Sequence, residues 1–453
     1  MVQVTAYPAM KETEQYLETF ERFEAQAKQP GWIFPLRKAG IARFAELGFP
    51  TLQQEDWRFT NVAPIAKLPF KPVFQASLDS LTRETIAAFT FGSLAASRLV
   101  FVNGHCAADL SSPGRQPEGV VVGSLAAALA GKSELIQANL ARHAQGDTNP
   151  FVALNAAFFQ DGGFVYVRTG SRLEAPVHLL FISTAEQTGA TSHPRNLIIA
   201  EAGSQVTVLE SYASMGPAAT LTNAVTELVL GDGAVVEHAK FQDESRSAFH
   251  LAAIHAHLGR GCNLTAHSVA TGARLSRNNI RATLAGEGVE CILNGLYLTR
   301  GDQLADHHMV VEHAQPHCNS HEYYNGILDG RSKGVFHGRI LVRPAAQKTD
   351  AKQTNKNLLL SDDATVDTKP QLEIYADDVK CTHGATIGQL NEESIFYLRA
   401  RGIGAETARR MLIHAFAGEI IERIRHAPAR EELDKLVWER LEQNPRVGEK
   451  KSV

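Results

Sequence analysis

The segment 369–390 places a thiol and an imidazole close together. Cys381 and His383 are two positions apart, after an alternating strand pattern and an Asp377-Asp378 turn. Residues i and i+2 of an extended strand lie on one face, about 6.6 Å apart. A thiolate and a neutral imidazole are ligands for zinc, copper and iron. The pair therefore predicts half of a metal site, or else a small buried cysteine beside a hydrogen-bonded histidine.

A second group of metal-capable side chains lies between residues 307 and 321. It holds five histidines within fifteen residues, namely His307, His308, His313, His317 and His321. Their spacing matches no zinc motif such as HExxH, and adjacent residues of a strand face opposite ways. The group is typical either of stacked, hydrogen-bonded side chains or of the metal site of a β-helical, metal-dependent hydrolase.

The composition restricts the classes of function. The chain has 453 residues, of which 44% are hydrophobic and 21% charged, and a formal net charge of −4. Positive and negative charges are nearly balanced, whereas nucleic-acid binding needs a clustered excess of basic residues. We also expect neither a membrane segment nor a signal peptide. Five widely spaced cysteines without a CxxC pair favour a reducing, cytoplasmic compartment. GxxxxGK(S/T) does not occur, so we expect no nucleotide site and no enzymatic activity of its own.

Glycine turns at a fixed interval position these residues. Short apolar runs lead into turns about 28 residues apart, at Gly203, Gly231 and Gly233, Gly259 and Gly261, and Gly286 and Gly288. A fixed period in this range indicates a solenoid. The strands between the turns have no helix long enough for a βαβ crossover, which favours a parallel β-helix. A β-sandwich is the main competing interpretation.

The periodicity of apolar residues divides the chain into three parts. Residues 1–148 read as a helical N-terminal domain, 149–389 as the β-helix core and 390–453 as a helical C-terminal domain. Asn391 is placed to cap a helix whose Ile395, Phe396 and Leu398 face inward. A β-solenoid ends in an exposed edge, and we expect the flanking helices to cover it and to offer docking surfaces.

Several long strings resemble one known family. They are SHEYYNGILDGRSKGVFHGRILV (residues 320–342), PQLEIYADDVKCTHGAT (370–386) and FYLRARGI (396–403). On these strings the chain resembles the SufB/SufD family of iron–sulfur cluster assembly proteins over nearly its whole length. The resemblance implies a mainly β fold, with a right-handed parallel β-helix between two helical domains. Ala364 stands where the SufB branch has a cysteine, and Thr382-His383-Gly384 where that branch has Glu-His-Glu, so the SufD branch is favoured.

The resemblance also implies a function. It implies a non-catalytic subunit of the SufBCD scaffold complex, which pairs with a SufB-type paralogue and docks the SufC-type ATPase. Such a subunit contributes to iron acquisition and to nascent cluster formation at the interface between the two paralogues. No cofactor is expected to stay bound to the isolated chain. Iron or an iron–sulfur cluster would be held transiently at that interface, a reduced flavin could bind in the complex, and the isolated chain could form a homodimer.

The same resemblance assigns roles to residues. His383 is expected to be the critical side chain and Cys381 a secondary contributor, acting with a cysteine of the SufB-type partner. The strand bearing Leu372, Ile374 and Tyr375 is expected to pair with the equivalent strand of that partner. The expected docking surface for the ATPase is formed by the turn from Phe396 to Ile403 and the helix that follows it, with Phe396, Leu398, Arg401, Gly402 and Ile403 as the named contacts.

Overall fold

The computed structural model describes residues 9–26, 30–74, 81–87, 89, 97–131, 133–144, 146, 148–184 and 187–442. Its helices lie mostly before and after a long series of strands. They are α1 (Ala9–Gln26), α2 (Ile33–Leu47), α3 (Ala63–Ala66), α4 (Arg83–Ala87), α5 (Leu125–Gly131), α6 (Ser133–Asn139), α7 (Pro150–Phe158), α8 (Glu392–Arg399), α9 (Ala405–Ile421) and α10 (Ala427–Glu442). Two short 3-10 helices span Glu55–Trp57 and Ala108–Leu110. Among the helices of the described residues, none combines the length and the apolar composition that crossing a bilayer requires.

The strands form two sheets that wind together and are parallel except for two antiparallel pairs near the start of the chain. They are β1 (Lys71–Pro72), β2 (Ser97–Val102), β3 (His105–Cys106), β4 (Val120–Ser124), β5 (Gly163–Val167), β6 (Val177–Ser183), β7 (Ala190–Ser192), β8 (Arg195–Ala200), β9 (Gln205–Ser214), β10 (Leu221–Leu230), β11 (Val235–Asp243), β12 (Phe249–Leu258), β13 (Asn263–Ala270), β14 (Leu275–Leu284), β15 (Glu290–Thr299), β16 (Leu304–His313), β17 (Asn319–Leu328), β18 (Lys333–Val342), β19 (Asp350–Leu359), β20 (Thr365–Ile374) and β21 (Lys380–Gly388).

Strands alternate between the sheets as the chain advances. Sheet A runs in the order β20-β18-β16-β14-β12-β10-β8-β5-β4, and sheet B in the order β21-β19-β17-β15-β13-β11-β9-β6-β2-β3. Each rung of the winding therefore contributes one strand to each sheet. The predicted fold class is confirmed, since the protein is a β-solenoid of about eight turns with helices on either side in sequence.

The glycine turns account for the regular winding. Gly203, Gly233, Gly261 and Gly288 all adopt positive φ, between 61° and 70°, a region that costs glycine little. The turns stack on one another, because the N–H of Gly233 donates to the carbonyl of Arg260 at 2.8 Å. The N–H of Arg260 in turn donates to Asp232 Oδ1 at 2.9 Å, across 28 residues. This interval matches the predicted period.

The N-terminal helices pack on the outer face of sheet A. Tyr16, Phe44 and Phe151 form one apolar cluster with Phe249 and Leu251 of β12. Strands β2 to β4 also come from the first 148 residues, and they extend both sheets at the start of the solenoid. The boundaries proposed at 148/149 and 389/390 stay predictions.

The C-terminal helices pack on the outer face of sheet B rather than over its end. Ile413 and Ile420 of α9 and Val437 of α10 share a cluster with Leu296 of β15 and Ile327 of β17. The expectation that these helices cover the open edge is therefore wrong. An amphipathic stripe indicates which side of a helix is buried, but not which surface buries it. The outer face of sheet B is broader than the edge of the last rung and can bury more apolar area, and the apolar stripes of these helices pack on that outer face.

Helix α8 begins as predicted but exposes an unexpected side chain. The Asn391 side chain accepts a hydrogen bond from the N–H of Ser394 at 3.0 Å, which caps the helix. Ile395 is buried and Leu398 half-buried. Phe396, however, is 71% exposed, so the inward position predicted for it is wrong.

Candidate metal interface at the open end of the solenoid

The last rung ends in two unpaired strand edges. Strands β20 and β21 are the terminal strands of their sheets, so one side of each backbone has no neighbour among the described residues. Apolar side chains in these strands or directly after them are exposed as well, with Ile374 at 39%, Tyr375 at 62% and Ile387 at 53%. Exposed strand edges with apolar side chains pair readily with another chain.

Cys381 and His383 share one face of β21. In the ladder with β19, Cys381 pairs with Ala351 and His383 with Gln353. Ala351 and Gln353 are 0% and 2% exposed, and they line the interior of the solenoid. Since register aligns the pleat of neighbouring strands, Cys381 and His383 continue this interior face. At the last rung no further rung covers it, so His383 is exposed and Cys381 half-buried.

The predicted pairing residues lie around the same opening. Leu372 and Ile374 pair with Ile340 and Val342 of β18, which are buried in the interior. Leu372 packs in the same small apolar cluster as Cys381. Tyr375 follows β20 directly, and its N–H donates to the carbonyl of Val342 at 3.0 Å.

The Cys381 thiol is held in its protonated form. Burial, and secondarily the charge of Asp350, raises the pKa of Cys381 above its ordinary value. The thiolate is the metal-binding form, so a metal at this face must displace a proton from Cys381. His383 offers an imidazole nitrogen as a metal ligand.

A buried acid lies below His383 in the same interior column. His383 pairs with Gln353, and Gln353 pairs with Glu322 of β17. Burial, only partly offset by the Gln353 amide, raises the pKa of Glu322 to about 8. Gly338 of β18 leaves the room for both groups, because a Cβ there would come within 2.8 Å of Glu322 Oε2 and of Gln353 Nε2.

Glu322 should make stability depend on pH. Its carboxyl titrates near pH 4.5 when exposed and at about pH 8 in the folded protein, so between these values the folded state holds the extra proton. The free energy of unfolding should therefore fall as pH rises through this window, by about 1.4 kcal/mol per pH unit at most. Glu322→Gln should remove this slope and raise the thermal midpoint at pH 8 relative to the parent. Glu287→Gln, in an exposed turn, is the control, and parallel profiles for parent and Glu322→Gln would contradict the assignment.

The five histidines between 307 and 321 do not come together. His307 is fully buried inside the solenoid, between the rings of Tyr297 and Tyr324 at 5.2 Å each. His313 is also inside, with its Nε2 2.8 Å from Ser320 Oγ. His308 faces outward, whereas His317 and His321 lie on or near the turn that follows. This arrangement offers no common position for a hydrolytic metal.

A different trio was missed by the sequence analysis. Among the described residues, one set of at least three metal-capable groups has its ligand atoms within 4.8 Å of one another: Asp56, His308 and His337. His308 and His337 are ladder partners on β16 and β18. Applying the rung spacing to the outward-facing residues would have placed these two side by side. No local pattern indicates Asp56, which approaches from the N-terminal region.

The predicted docking turn is accessible. Phe396 and Tyr397 are 71% and 56% exposed, and the Arg401 guanidinium lies 3.4 Å from the centre of the Tyr397 ring. Gly402 adopts a φ of +81°, and its N–H donates to the carbonyl of Arg399 at 3.0 Å. Ile403 is half-buried. The turn is thus an ordered surface with exposed aromatic side chains.

Two family profiles match the chain. The profile described as SUF system FeS cluster assembly, SufBD core domain, matches residues 181–416, and the profile of the SufBD protein N-terminal region matches residues 10–179. The chain belongs to the SufBD family. The two matches divide at residue 179/181, within β6, which is consistent with the N-terminal region supplying the first strands of the solenoid.

Named relatives cover most of this SufBD chain. An iron–sulfur cluster assembly SufBD family protein of Synechocystis is 34% identical over 396 residues, 86% of each chain. The iron–sulfur cluster assembly protein SufD of Escherichia coli is 31% identical over 421 residues, 92% of this chain and 95% of the relative. The SufD protein of Bacillus subtilis is 25% identical over 417 residues, 90% and 93% respectively. These relatives support a place in iron–sulfur cluster assembly, on the SufD side of the family.

Proposed function

We propose that the protein is a non-catalytic subunit of an iron–sulfur cluster assembly complex, in which it pairs with a SufB-type paralogue and docks a SufC-type ATPase. The observation that carries the proposal is the open last rung. It presents Cys381 and His383 on an uncovered interior face, beside two strand edges that lack partners among the described residues. Half of a metal site beside a pairing surface is the arrangement that an interfacial site requires.

Pairing through the edges would complete the site. A strand added to β20 or β21 continues the parallel or antiparallel ladder through backbone hydrogen bonds, and alternate side chains then set specificity. It would also bury Ile374, Tyr375 and Ile387, which are exposed in the single chain. A cysteine thiolate from such a partner, placed opposite His383, would give iron a mixed sulfur and nitrogen environment.

Iron and the nascent cluster are cargo in this proposal. The raised pKa of Cys381 makes it a weak ligand at neutral pH, so a partner thiolate would be the primary sulfur donor. His383 would hold the metal during assembly, and Cys381 would join after loss of its proton. The cluster can then leave, since few ligands from this chain hold it.

The turn from Phe396 to Ile403, with its exposed aromatic side chains, is the proposed binding surface for the ATPase. The chain has no P-loop motif of its own, so ATP-driven steps require a second protein. Aromatic residues are enriched in the centres of protein interfaces, and Phe396 is the most exposed of the large hydrophobic side chains among the described residues.

Phe396→Ser should remove the ATPase while keeping the paralogue. The test is to co-express the chain with a SufB-type paralogue and a SufC-type ATPase, and to measure which proteins co-elute. Because Phe396 is 71% exposed, its loss should cost little stability, and a central aromatic anchor typically contributes about 2 kcal/mol or more to binding. A point substitution is sharper than removal of 391–453, which would uncover the apolar outer face of sheet B.

Leu52→Ser is the matched control, since Leu52 is 49% exposed in the N-terminal region. It should retain both partners. If the parent chain elutes without the paralogue and without the ATPase, the proposed function is wrong. If Phe396→Ser retains the ATPase at the parental ratio, the docking surface lies elsewhere.

A further inference from the structure

A cavity of about 450 Å³ lies between the outer face of sheet A and the N-terminal region. Its floor is made by outward-facing residues of β12, β14, β16 and β18, and its walls by the segment around Trp57 and by Arg142, His143, Thr148 and Asn149. Concave sites of this size are typical of small-molecule binding. The cavity lies on the outer face of sheet A, whereas Cys381 and His383 lie on the interior face of β21, and it plays no part in the proposed function.

The lining is strongly enriched in basic side chains. It contains four arginines and four histidines but a single carboxylate, that of Asp56. The arginines are Arg142, Arg277, Arg281 and Arg339. Arg is the side chain whose planar fork matches phosphate and carboxylate groups. A lining of this kind favours an anion.

Arg277 is held rigidly in place. Its Nη1 donates to Asp306 Oδ2 at 2.6 Å and its Nε to Asn279 Oδ1 at 3.0 Å. The guanidinium also lies 3.7 Å from the centre of the Trp57 ring. A cation fixed in this way is pre-organised, so a ligand would not have to order it on binding.

Two further arginines keep donors available. The side chain of Arg281 is 47% exposed and contacts Glu312 at 3.3 Å. That of Arg339 is 36% exposed, and its ion pair with Glu373 is loose, at 3.6 Å. A guanidinium has five N–H donors, so a single carboxylate partner leaves several of them for a ligand.

The histidines of the lining add unused hydrogen-bonding capacity. His143 and His257 stack with ring centres 4.3 Å apart. The Nδ1 of His255 is buried and has no hydrogen-bond partner among the described residues. Asn149, the N-cap of α7, also lines the cavity, so the positive end of that helix dipole adds to the field there.

The trio of Asp56, His308 and His337 lies at one side of the cavity and could suggest a metal. His308 Nε2 is 3.7 Å from Asp56 Oδ1. The His308 Nδ1, however, accepts from Arg277 Nη2 at 3.2 Å, which leaves the proton on Nε2, where a metal would have to bind. Burial first, and then the charges of Arg277, His337, Arg339 and Lys369, lower the pKa of His308, and these neighbouring positive charges would repel a divalent cation. A divalent cation is disfavoured by both effects.

We propose that this cavity binds a phosphate-bearing small molecule, held by Arg277, Arg281 and Arg339. Several convergent guanidinium groups favour a multiply charged anion over a single carboxylate. The volume accepts a ligand larger than inorganic phosphate itself. The assignment does not depend on the paralogue, on the ATPase or on the cluster.

Titration calorimetry with inorganic pyrophosphate on the full chain tests the proposal. The parent should bind one equivalent saturably, in competition with inorganic phosphate. The double variant Arg281→Ala with Arg339→Ala should raise the dissociation constant at least tenfold. It removes two charge-assisted contacts, which in most sites together contribute more to affinity than a factor of ten. Both side chains are partly exposed, so the fold should persist, and an unchanged thermal midpoint would verify it.

Arg331→Ala is the matched control, since this arginine is 72% exposed and pairs with Asp302 in a turn outside the cavity. It should bind pyrophosphate like the parent. Absence of saturable binding, or equal affinity in the double variant, would overturn the proposal. So would stoichiometric binding of Zn²⁺ that is lost in His308→Ala and is unaffected by pyrophosphate, since the trio would then be a metal site.

Discussion

His383→Ala should leave the assembled complex intact and reduce its yield of iron–sulfur cluster at least about tenfold. The side chain is exposed at the last rung, so its removal uncovers no core. Loss of a partner that only orients a metal ligand already costs about 10–100-fold in metal affinity, and loss of a direct ligand should cost no less. The measurement is iron and acid-labile sulfide per complex after reconstitution, with the elution profile as a check on assembly.

Thr382→Ala is the control for that experiment. Thr382 is exposed on the same strand, but strand alternation places it on the opposite face from His383. Its cluster yield should equal that of the parent. A parental yield in the His383→Ala complex would mean that iron is not held at this position, even if the complex is the right one.

Cys381→Ser should have a smaller effect than His383→Ala. The raised pKa of Cys381 keeps the thiol protonated at neutral pH, so it contributes little to the first capture of metal. Its contribution should grow as pH rises toward that pKa, because the thiolate fraction grows. The deficit of Cys381→Ser relative to the parent should thus be larger at pH 8.5 than at pH 7.

The solenoid could be predicted from sequence because its turns use a chemically special residue at a fixed interval. Glycines such as Gly233 and Gly261 adopt positive φ, which few other residues tolerate, and the interval follows from the length of one rung. The shared face of Cys381 and His383 was predictable for a similar reason. It depends only on the two-residue period of a strand.

Contacts between distant segments could not be predicted in this way. The apolar stripe of α9 indicates that one side of the helix is buried, but it does not identify the surface that buries it. That surface is the outer face of sheet B, with Leu296 and Ile327. Likewise, Arg277 lies against Trp57, although 220 positions separate them and neither residue's local sequence indicates the other.

The second large effect is expected at the backbone of the open edge. The N–H groups of Thr365 and Tyr375 both point toward β18, since they donate to the carbonyls of Ser332, directly before β18, and of Val342, its last residue. Backbone groups alternate sides along a strand, so the N–H of Ile374 points away from β18, toward the open edge. Pro370 lies at an equivalent even-numbered position of β20, which shows that the ladder with β18 tolerates a missing N–H there.

Ile374→Pro should therefore weaken pairing with the paralogue while preserving the fold. The substitution removes one donor from the edge, about 1 kcal/mol of net hydrogen bonding, and its ring obstructs an approaching strand. The dissociation constant of the pair should rise at least about tenfold, measured by co-elution over a concentration series. Ile374→Ala keeps the N–H and loses only the side chain, so it should pair more tightly than Ile374→Pro. Equal pairing by Ile374→Pro and the parent would show that the partner does not extend sheet A at β20. The other open edge, β21, would then be the candidate pairing strand.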